Sequence, residues 1–414
     1  MPKISELLKK PMAQNFVALV LLQGINYLMP LLSFPFLFRV LGVEYWGLVS
    51  FGYIVIQYFV MLTDFGFNLS ATKFISTHRD SPEDINRYLN SACICRFFLA
   101  VVSFLVLLLL TSFVETFRRE SLFFISYFGI VVGNMLFPLW YFQGMERMKY
   151  ITVFNIVAKS VSFIPFFIFI RKPQDYMLVP VFYSIGFILA GLISVYIIYF
   201  KEKRRWFIPS FREIRFVFVD SFTYFLSRLS LSMFTNVNTL VIGLVCGNTA
   251  VGYYSAAEKL YQAYNQLLIP FTGVLFPHIA KTQDVAFFKR MLRHIFPVNM
   301  VLLSGMLLCS SLLIGIIYGE SALSGSLTVF RILMCGCFFS IPSMLLGYPF
   351  LAAMGHAHYT NWTVVAVSLI HITGLSLLFG MGYLSIHSVA ALVVFSEVLL
   401  FTFRIGGVKK YRLI

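Results

Sequence analysis

Lys159 and Arg228 each fall near the middle of a long apolar stretch, residues 150–170 and 216–246. A cation at the centre of a bilayer-spanning helix costs about 2.5–3.5 kcal/mol on insertion scales. Such a charge persists where water, a counter-ion or an anionic ligand receives it. Counted inward at about 1.5 Å per residue, Lys159 is expected roughly 14 Å deep and Arg228 roughly 18 Å. Both depths fall near the middle of a hydrocarbon core about 30 Å thick. Each cation also belongs to a polar stripe with helical spacing: Thr152, Asn155, Lys159 and Ser162, and Tyr224, Arg228, Ser232, Thr235 and Thr239. A polar stripe avoids lipid, so it faces either a hydrated cavity or another helix through a structural salt bridge.

Further charges surround these two. Arg96 and Asp220 are expected within a few turns of one membrane surface, where they can snorkel, and Arg331 near the opposite one. Asp64 shares a helix face with Gln57 and Tyr53; Glu258 and Lys259 are adjacent, with Gln262 and Asn265 continuing the Glu258 face; Glu397 lies in the last apolar stretch. The three acids would pair with the cations or carry a coupling proton. The candidate cavity cations are therefore Lys159, Arg228, Arg96, Arg331 and Lys259, and the candidate acids are Asp64, Glu258 and Glu397. Gln23, Asn26, Gln57, Asn155 and Gln262 are the polar candidates. Gln23, Asn26, Pro30 and Pro35 make the first helix polar and breakable, because proline removes a backbone donor and bends a helix.

Other chemistry is absent. His278, His294, His356, His358, His371 and His387 show no catalytic or metal-ligand spacing. The cysteines, including Cys93-x-Cys95 and Cys335-x-Cys337, fall in or beside apolar runs and read as small buried residues rather than ligands. No phosphate-cradling G-x4-G-K-[ST] occurs, and no large extramembrane loop is available to hold enzyme chemistry. Neither a cofactor nor a metal is expected, and the chain does not read as an enzyme.

The elements that position these residues follow from composition. The chain is 59% hydrophobic and 12% charged, with a mean hydropathy of +0.85. Soluble domains carry roughly 25% charged residues, so this is a polytopic membrane protein. Twelve stretches approach the roughly 20 apolar residues that span a bilayer: 13–38, 46–70, 88–113, 121–142, 150–170, 176–200, 216–246, 252–275, 295–317, 327–351, 360–380 and 384–404. The first is too long for a signal h-region and reads as an uncleaved span. Phe379-Gly380-Met381-Gly382 has to supply the whole turn between the last two. The net charge is +15. Most cations, Arg404 and the dense run 201–215 among them, fall in one alternate set of loops, which is a topology signal rather than a nucleic-acid footprint. The positive-inside rule then puts both termini in the cytoplasm.

The sequence also repeats. Gly42-x4-Gly47 matches Gly247-x4-Gly252, with Ser50 and Ser255, and Gln57 and Gln262, at the same offset; Phe137-Pro138-x5-Gly144 echoes Tyr348-Pro349-x5-Gly355. Two halves of six helices, 1–206 and 207–414, are expected. An even helix count gives them the same orientation, with Lys159 in one and Arg228 in the other.

Several segments resemble Wzx-type O-antigen flippases of the polysaccharide transporter group, within the multidrug/oligosaccharidyl-lipid/polysaccharide exporter superfamily. They are Gln23-Gly24-Ile25-Asn26-Tyr27-Leu28-Met29-Pro30 with Phe34-Pro35-Phe36-Leu37-Phe38-Arg39-Val40-Leu41-Gly42, Asp64-Phe65-Gly66-Phe67-Asn68-Leu69-Ser70, Pro138-Leu139-Trp140-Tyr141-Phe142-Gln143-Gly144-Met145-Glu146-Arg147, and Val251-Gly252-Tyr253-Tyr254-Ser255-Ala256-Ala257-Glu258-Lys259. From residue 295 onward the match rests on helix count. The resemblance implies an all-α fold of two parallel-repeat six-helix bundles around a central cavity. It implies a bacterial inner-membrane flippase for undecaprenyl-pyrophosphate-linked repeat units, driven by an ion gradient. The lipid bilayer is the setting, and the polymerase and chain-length regulator of the same pathway are the implied protein partners. A lipid pyrophosphate is an anion that mid-depth Lys and Arg can receive, Arg through a fork that suits phosphate oxygens. The alternatives are a drug or cation antiporter on the same fold, whose cavity should be acidic, and a membrane polymerase of the same pathway, disfavoured by the short loops.

Overall fold

The structure, a computed structural model, describes residues 11–413, with side chains described from Met29 onward except at 227, 230–235 and 270. Gln23 and Asn26 therefore lie outside the described side chains, as do Ser232 and Thr235 of the Arg228 stripe. Among the described residues every regular element is a helix. Among the described residues eight helical stretches are long and apolar enough to cross a membrane, and one of them, Glu320–Gly380, contains two of the expected spans. The expected spans 216–246 and 252–275 form helices as well.

The helices that matter below are, in chain order, α1 (Pro11–Asp64), α2 (Phe67–Thr77), α3 (Pro82–Phe113), α4 (Ser121–Tyr127), α5 (Gly129–Leu136), α6 (Leu139–Gly144), α7 (Met148–Phe169) and α8 (Leu178–Tyr196). They continue as α9 (Phe211–Thr235), α10 (Val237–Cys246), α11 (Asn248–Gln266), α12 (Ile269–Thr282), α13 (Val285–Leu308), α14 (Ser310–Tyr318), α15 (Leu323–Leu346), α16 (Ala357–Gly380) and α17 (Ile386–Lys410). Each expected span has a helical counterpart, so the all-α polytopic expectation holds. Several boundaries differ for identifiable reasons. Pro30 and Pro35 sit inside α1 without breaking it; the non-helical residue is Gly42, at φ 76 and ψ 171, a conformation essentially reserved for glycine. The span 121–142 is interrupted at Phe137-Pro138, where Pro138 lacks the N–H needed to continue α5. Residues 381–385 separate α16 from α17, with Gly382 at φ 74 and the Ser385 hydroxyl accepting from the backbone N–H of Ser388 to open α17.

The two glycines that open the matched motifs share a backbone conformation. Gly247 adopts φ 83 and ψ 179, nearly the conformation of Gly42.

By contacts the chain divides into two units, 1–42 with 52–229, and 43–51 with 230–414. In the first, an aromatic core of Trp140, Tyr141, Phe142 and Phe154 packs with Phe67, Ile75, Tyr88 and Leu89. Small residues let its helices approach closely, as is common where lipid supplies no hydrophobic drive between helices. A side chain at Gly186 of α8 would collide with Ser162 Oγ and the carbonyl of Ala158 on α7. In the second unit, Gly47 faces the carbonyl of Asn248, and Gly252 faces that of Val43. The two glycines of the repeated motif thus form one reciprocal contact. A separate core stacks Phe288 on Phe350, with ring centroids 4.0 Å apart, beside Leu345, Leu346 and Leu351.

Candidate functional site

In the first unit the charged candidates converge where α1 ends. Phe65 and Gly66 take left-handed backbone angles, φ 44 and 80, and reverse the chain into α2. Gly66 has no side chain to hold α9 away; a Cβ there would meet the N of Phe225 and the carbonyl of Ser221. The Phe65 ring fills the junction, stacked on Phe218 at 4.4 Å and on Phe225 at 4.6 Å. Ser70 and Ser221 share a hydrogen bond of 2.7 Å. Ser221, Phe225 and Arg228 follow one another at i, i+4 and i+7, so the face docked on Gly66 carries Arg228 to Asp64. Arg228 Nη1 donates to Asp64 Oδ2 at 3.0 Å.

The need for that bond is physical. The Asp64 carboxylate is 8% exposed and closes α1 at its C-terminal end, where the helix dipole is already negative. Arg96 also lies within electrostatic range of Asp64. Arg228 keeps 46% of its side chain exposed, so its fork can donate to Asp64 and still offer N–H groups elsewhere.

Arg96 plays a different part from the other cations. It is enclosed in the unit rather than snorkelling to a surface. Its Nη2 donates to the carbonyl of Asn134 at 2.6 Å, and Nη1 to that of Phe137 at 3.2 Å. Asn134 O is the acceptor that Pro138 cannot serve. The guanidinium adds a second donor to carbonyls that also accept from the N–H groups of Phe137 and Leu139, and so reinforces the break. The second unit has a counterpart at the other half of the echoed motif. Arg404, expected in a loop, is buried in α17. Its Nη1 donates to the carbonyl and the hydroxyl of Ser343 at 2.6 and 3.1 Å, at the end of α15 and ahead of Pro349.

The remaining first-unit candidates lie on α7 and α1. Lys159 is half-buried on α7, beside the close approach of α8 at Ala158 and Ser162. Its stripe neighbours bond back into their own helix: Asn155 to Ile151 O at 2.9 Å, Thr152 to Met148 O at 3.3 Å and Ser162 to Ala158 O at 2.7 Å. Gln57 is half-buried on α1. Lys159 and Arg228, expected one in each half, both fall in the first unit by contacts.

In the second unit the acids gather around a cavity of about 140 Å³ lined by Asn238, Tyr254, Glu258, Tyr261, Gln262, His371 and Glu397. Glu258 accepts from Thr239 Oγ1 at 3.1 Å, and Glu397 from Tyr261 OH at 3.0 Å. Lys259, next to Glu258, approaches Gln262 Oε1 at 3.5 Å. Arg331 stands apart, its Nε donating to Ser310 Oγ at 2.8 Å. The member that spacing did not reveal is His371. Its Nε2 lies 2.8 Å from Asn238 Oδ1 and its Nδ1 2.8 Å from Ser396 Oγ. Ser396 Oγ also lies 2.8 Å from the Leu392 carbonyl. One hydroxyl proton cannot serve both contacts. The tautomer of the imidazole sets which of these contacts the hydroxyl serves. A buried histidine, two carboxyls and two tyrosines thus line one cavity. The signal available in the sequence is a single charged or ionisable residue among Asp, Glu, His, Lys and Arg inside the apolar span 360–380.

The chain matches the family described as "Polysaccharide biosynthesis protein" over residues 12–283. Two relatives both carry the name "Putative O-antigen transporter". The one from Escherichia coli (strain K12) is 30% identical over 275 residues, 66% of this chain and 66% of that protein. The one from Shigella dysenteriae is 26% identical over 280 residues, 68% of this chain and 70% of that protein. The chain thus spans about two thirds of the length of the curated relatives it matches. Among solved structures it resembles the lipid II flippase MurJ in an inward closed conformation, with a TM-score of 0.72 at 14% identity, covering 95% of this chain and 87% of that one. It also resembles an inward-facing multidrug resistance MATE family transporter of the MOP superfamily, with a TM-score of 0.68 at 12% identity over 96% and 98% of the two chains. These two likenesses establish the fold. The family match covers well over half of the chain, so the chain belongs to the polysaccharide biosynthesis protein family.

Proposed function

We propose that this protein moves undecaprenyl-pyrophosphate-linked O-antigen repeat units from the cytoplasmic to the periplasmic leaflet of a bacterial inner membrane by alternating access. The observation that carries this reading is Arg228. It is held by one nitrogen to a buried carboxylate, yet 46% of its side chain is exposed. A guanidinium so placed can offer its other N–H groups to pyrophosphate oxygens within an apolar span, and Lys159 is the second cation for that anion. The names of the relatives support the substrate class. In this reading the cavity of Glu258, His371 and Glu397 takes up the coupling proton, and its filling changes which hydrogen bonds tie α10, α11, α16 and α17 together. The matching backbone at Gly42 and Gly247 supports two homologous halves, 1–206 and 207–414, both with cytoplasmic ends. The polymerase and chain-length regulator of the same pathway are the natural protein partners.

The test is translocation of a defined undecaprenyl-pyrophosphate glycan in vesicles, with and without a proton gradient. Gradient-stimulated movement is expected with the wild-type protein and a loss of at least tenfold with Arg228→Ala. Export of cationic dyes, with lipid-linked glycan ignored, would establish the antiporter alternative.

A further inference from the structure

A second cationic site lies at one end of the first unit, where α7 begins and α8 runs out through the π-helical turn Ile197–Lys201. It is an open concavity of about 500 Å³ lined by Glu146, Arg147, Lys149, Tyr150, Lys201, Glu202 and Arg204, with Met148. Both carboxylates are already engaged. Glu146 pairs with Arg79 at 2.8 Å. Glu202 is buried and receives Arg147 and the hydroxyl of Tyr141. Arg204 Nε donates to the same Tyr141 hydroxyl at 2.9 Å, and Lys201 lies 5.6 Å from the centre of the Tyr150 ring. The acids are thus used up inside the frame, and Lys149, Lys201 and Arg204 give the concavity its net positive charge.

Two further features set this place apart. Glu146 and Lys203 have left-handed φ values of 58 and 53, two of the five such non-glycine residues among those described. Backbone of this kind persists where the surroundings over-determine it. Beside the concavity, Tyr196, Phe200 and Trp206 are 60%, 70% and 58% exposed, and the first two stack at 5.5 Å. Exposed aromatics at the end of apolar spans mark the headgroup level of a bilayer. Both spans that meet here, Met148–Phe169 and Pro173–Lys201, are long and apolar enough to cross it. A cationic concavity at that level meets phosphate first.

We propose that this concavity binds the phosphate of an anionic lipid headgroup, either a phosphodiester or a pyrophosphate. The inference rests on the membrane fold and the local geometry, not on the transport reading above.

The test uses the purified full-length protein in neutral detergent, titrated separately with phosphatidylglycerol, undecaprenyl pyrophosphate and inorganic phosphate, with binding read by native mass spectrometry. Lys149→Gln with Lys201→Gln removes two cations and leaves the Arg147–Glu202–Tyr141 frame intact. Lys289→Gln with Arg290→Gln, exposed residues of the second unit, removes equal charge elsewhere. The first pair is expected to weaken lipid binding by on the order of tenfold or more, and the second pair by less than twofold. The lipid bound more tightly identifies the headgroup. Equal weakening by both pairs, no weakening by the first, or inorganic phosphate binding as tightly as either lipid would overturn the proposal.

Discussion

If Arg228 serves the transported anion rather than only Asp64, charge neutralisation of the pair should separate stability from transport. Arg228→Ala leaves the Asp64 carboxylate, 8% exposed, without its partner at 3.0 Å. Breaking a fully buried pair from one side costs about 3–5 kcal/mol. Because Arg228 is 46% exposed, screening by solvent reduces this to roughly 1–3 kcal/mol. Asp64→Asn removes the charge that requires a cation and lets Arg228 turn to water, at a cost of about 1 kcal/mol or less. In the double variant Asp64→Asn with Arg228→Gln no buried charge is stranded, so the two changes should be non-additive by about 1–2 kcal/mol. Thermal unfolding of the detergent-solubilised protein measures the stability side of the cycle. Surface O-antigen in cells lacking their own transporter measures the functional side. The double variant should recover most of the melting temperature lost in Arg228→Ala while remaining without surface polymer. Recovery of polymer together with stability would show that Arg228 acts only as the counter-ion of Asp64, and the proposed role would fall.

Other perturbations test the frame around these sites. Gly42→Ala and Gly247→Ala should each lower stability by about 1–3 kcal/mol, since alanine is poorly suited to φ near +80° with ψ near 180°; unchanged melting temperatures would mean that the helices join differently. Arg96→Leu should remove two charge-assisted hydrogen bonds at the Pro138 break and destabilise the first unit by at least about 2 kcal/mol, whereas Arg96→Lys should restore part of this; equal melting temperatures for wild type and Arg96→Leu would refute the capping role. At the start of α9, Ser210 donates through its N–H and its hydroxyl to Glu213, and these bonds hold the Glu213 carboxyl below its usual range. A depressed carboxyl stabilises the fold above its unfolded pKa and loses that contribution as pH falls through the folded one. Glu213→Gln should therefore flatten the pH dependence of unfolding below about pH 4.3, and an unaltered profile there would count against the cap.

Much of this organisation is legible in the chain because the bilayer reduces it to length and polarity. The twelve apolar stretches announce where the chain is helical, since backbone groups in hydrocarbon have to be satisfied within the segment. Gly42 and Gly247 are legible as glycines because the backbone they adopt disfavours other residues. Asp64 and Arg228 stand out individually because charge in such a stretch is expensive.

Partnership was not legible. Asp64 and Arg228 are 164 positions apart, and only the docking of α9 on Gly66 brings them together. Arg96 and Arg404 look alike in sequence to any other cation; their hydrogen bonds to carbonyls at two helix ends give them structural roles. His371 gains meaning only when α10, α16 and α17 place Asn238 and Ser396 on either side of its ring. Composition and period dictate which segments cross the membrane, because burial in lipid acts on each segment alone. Which charges meet depends on how helices far apart in the chain pack, and no single segment carries that information.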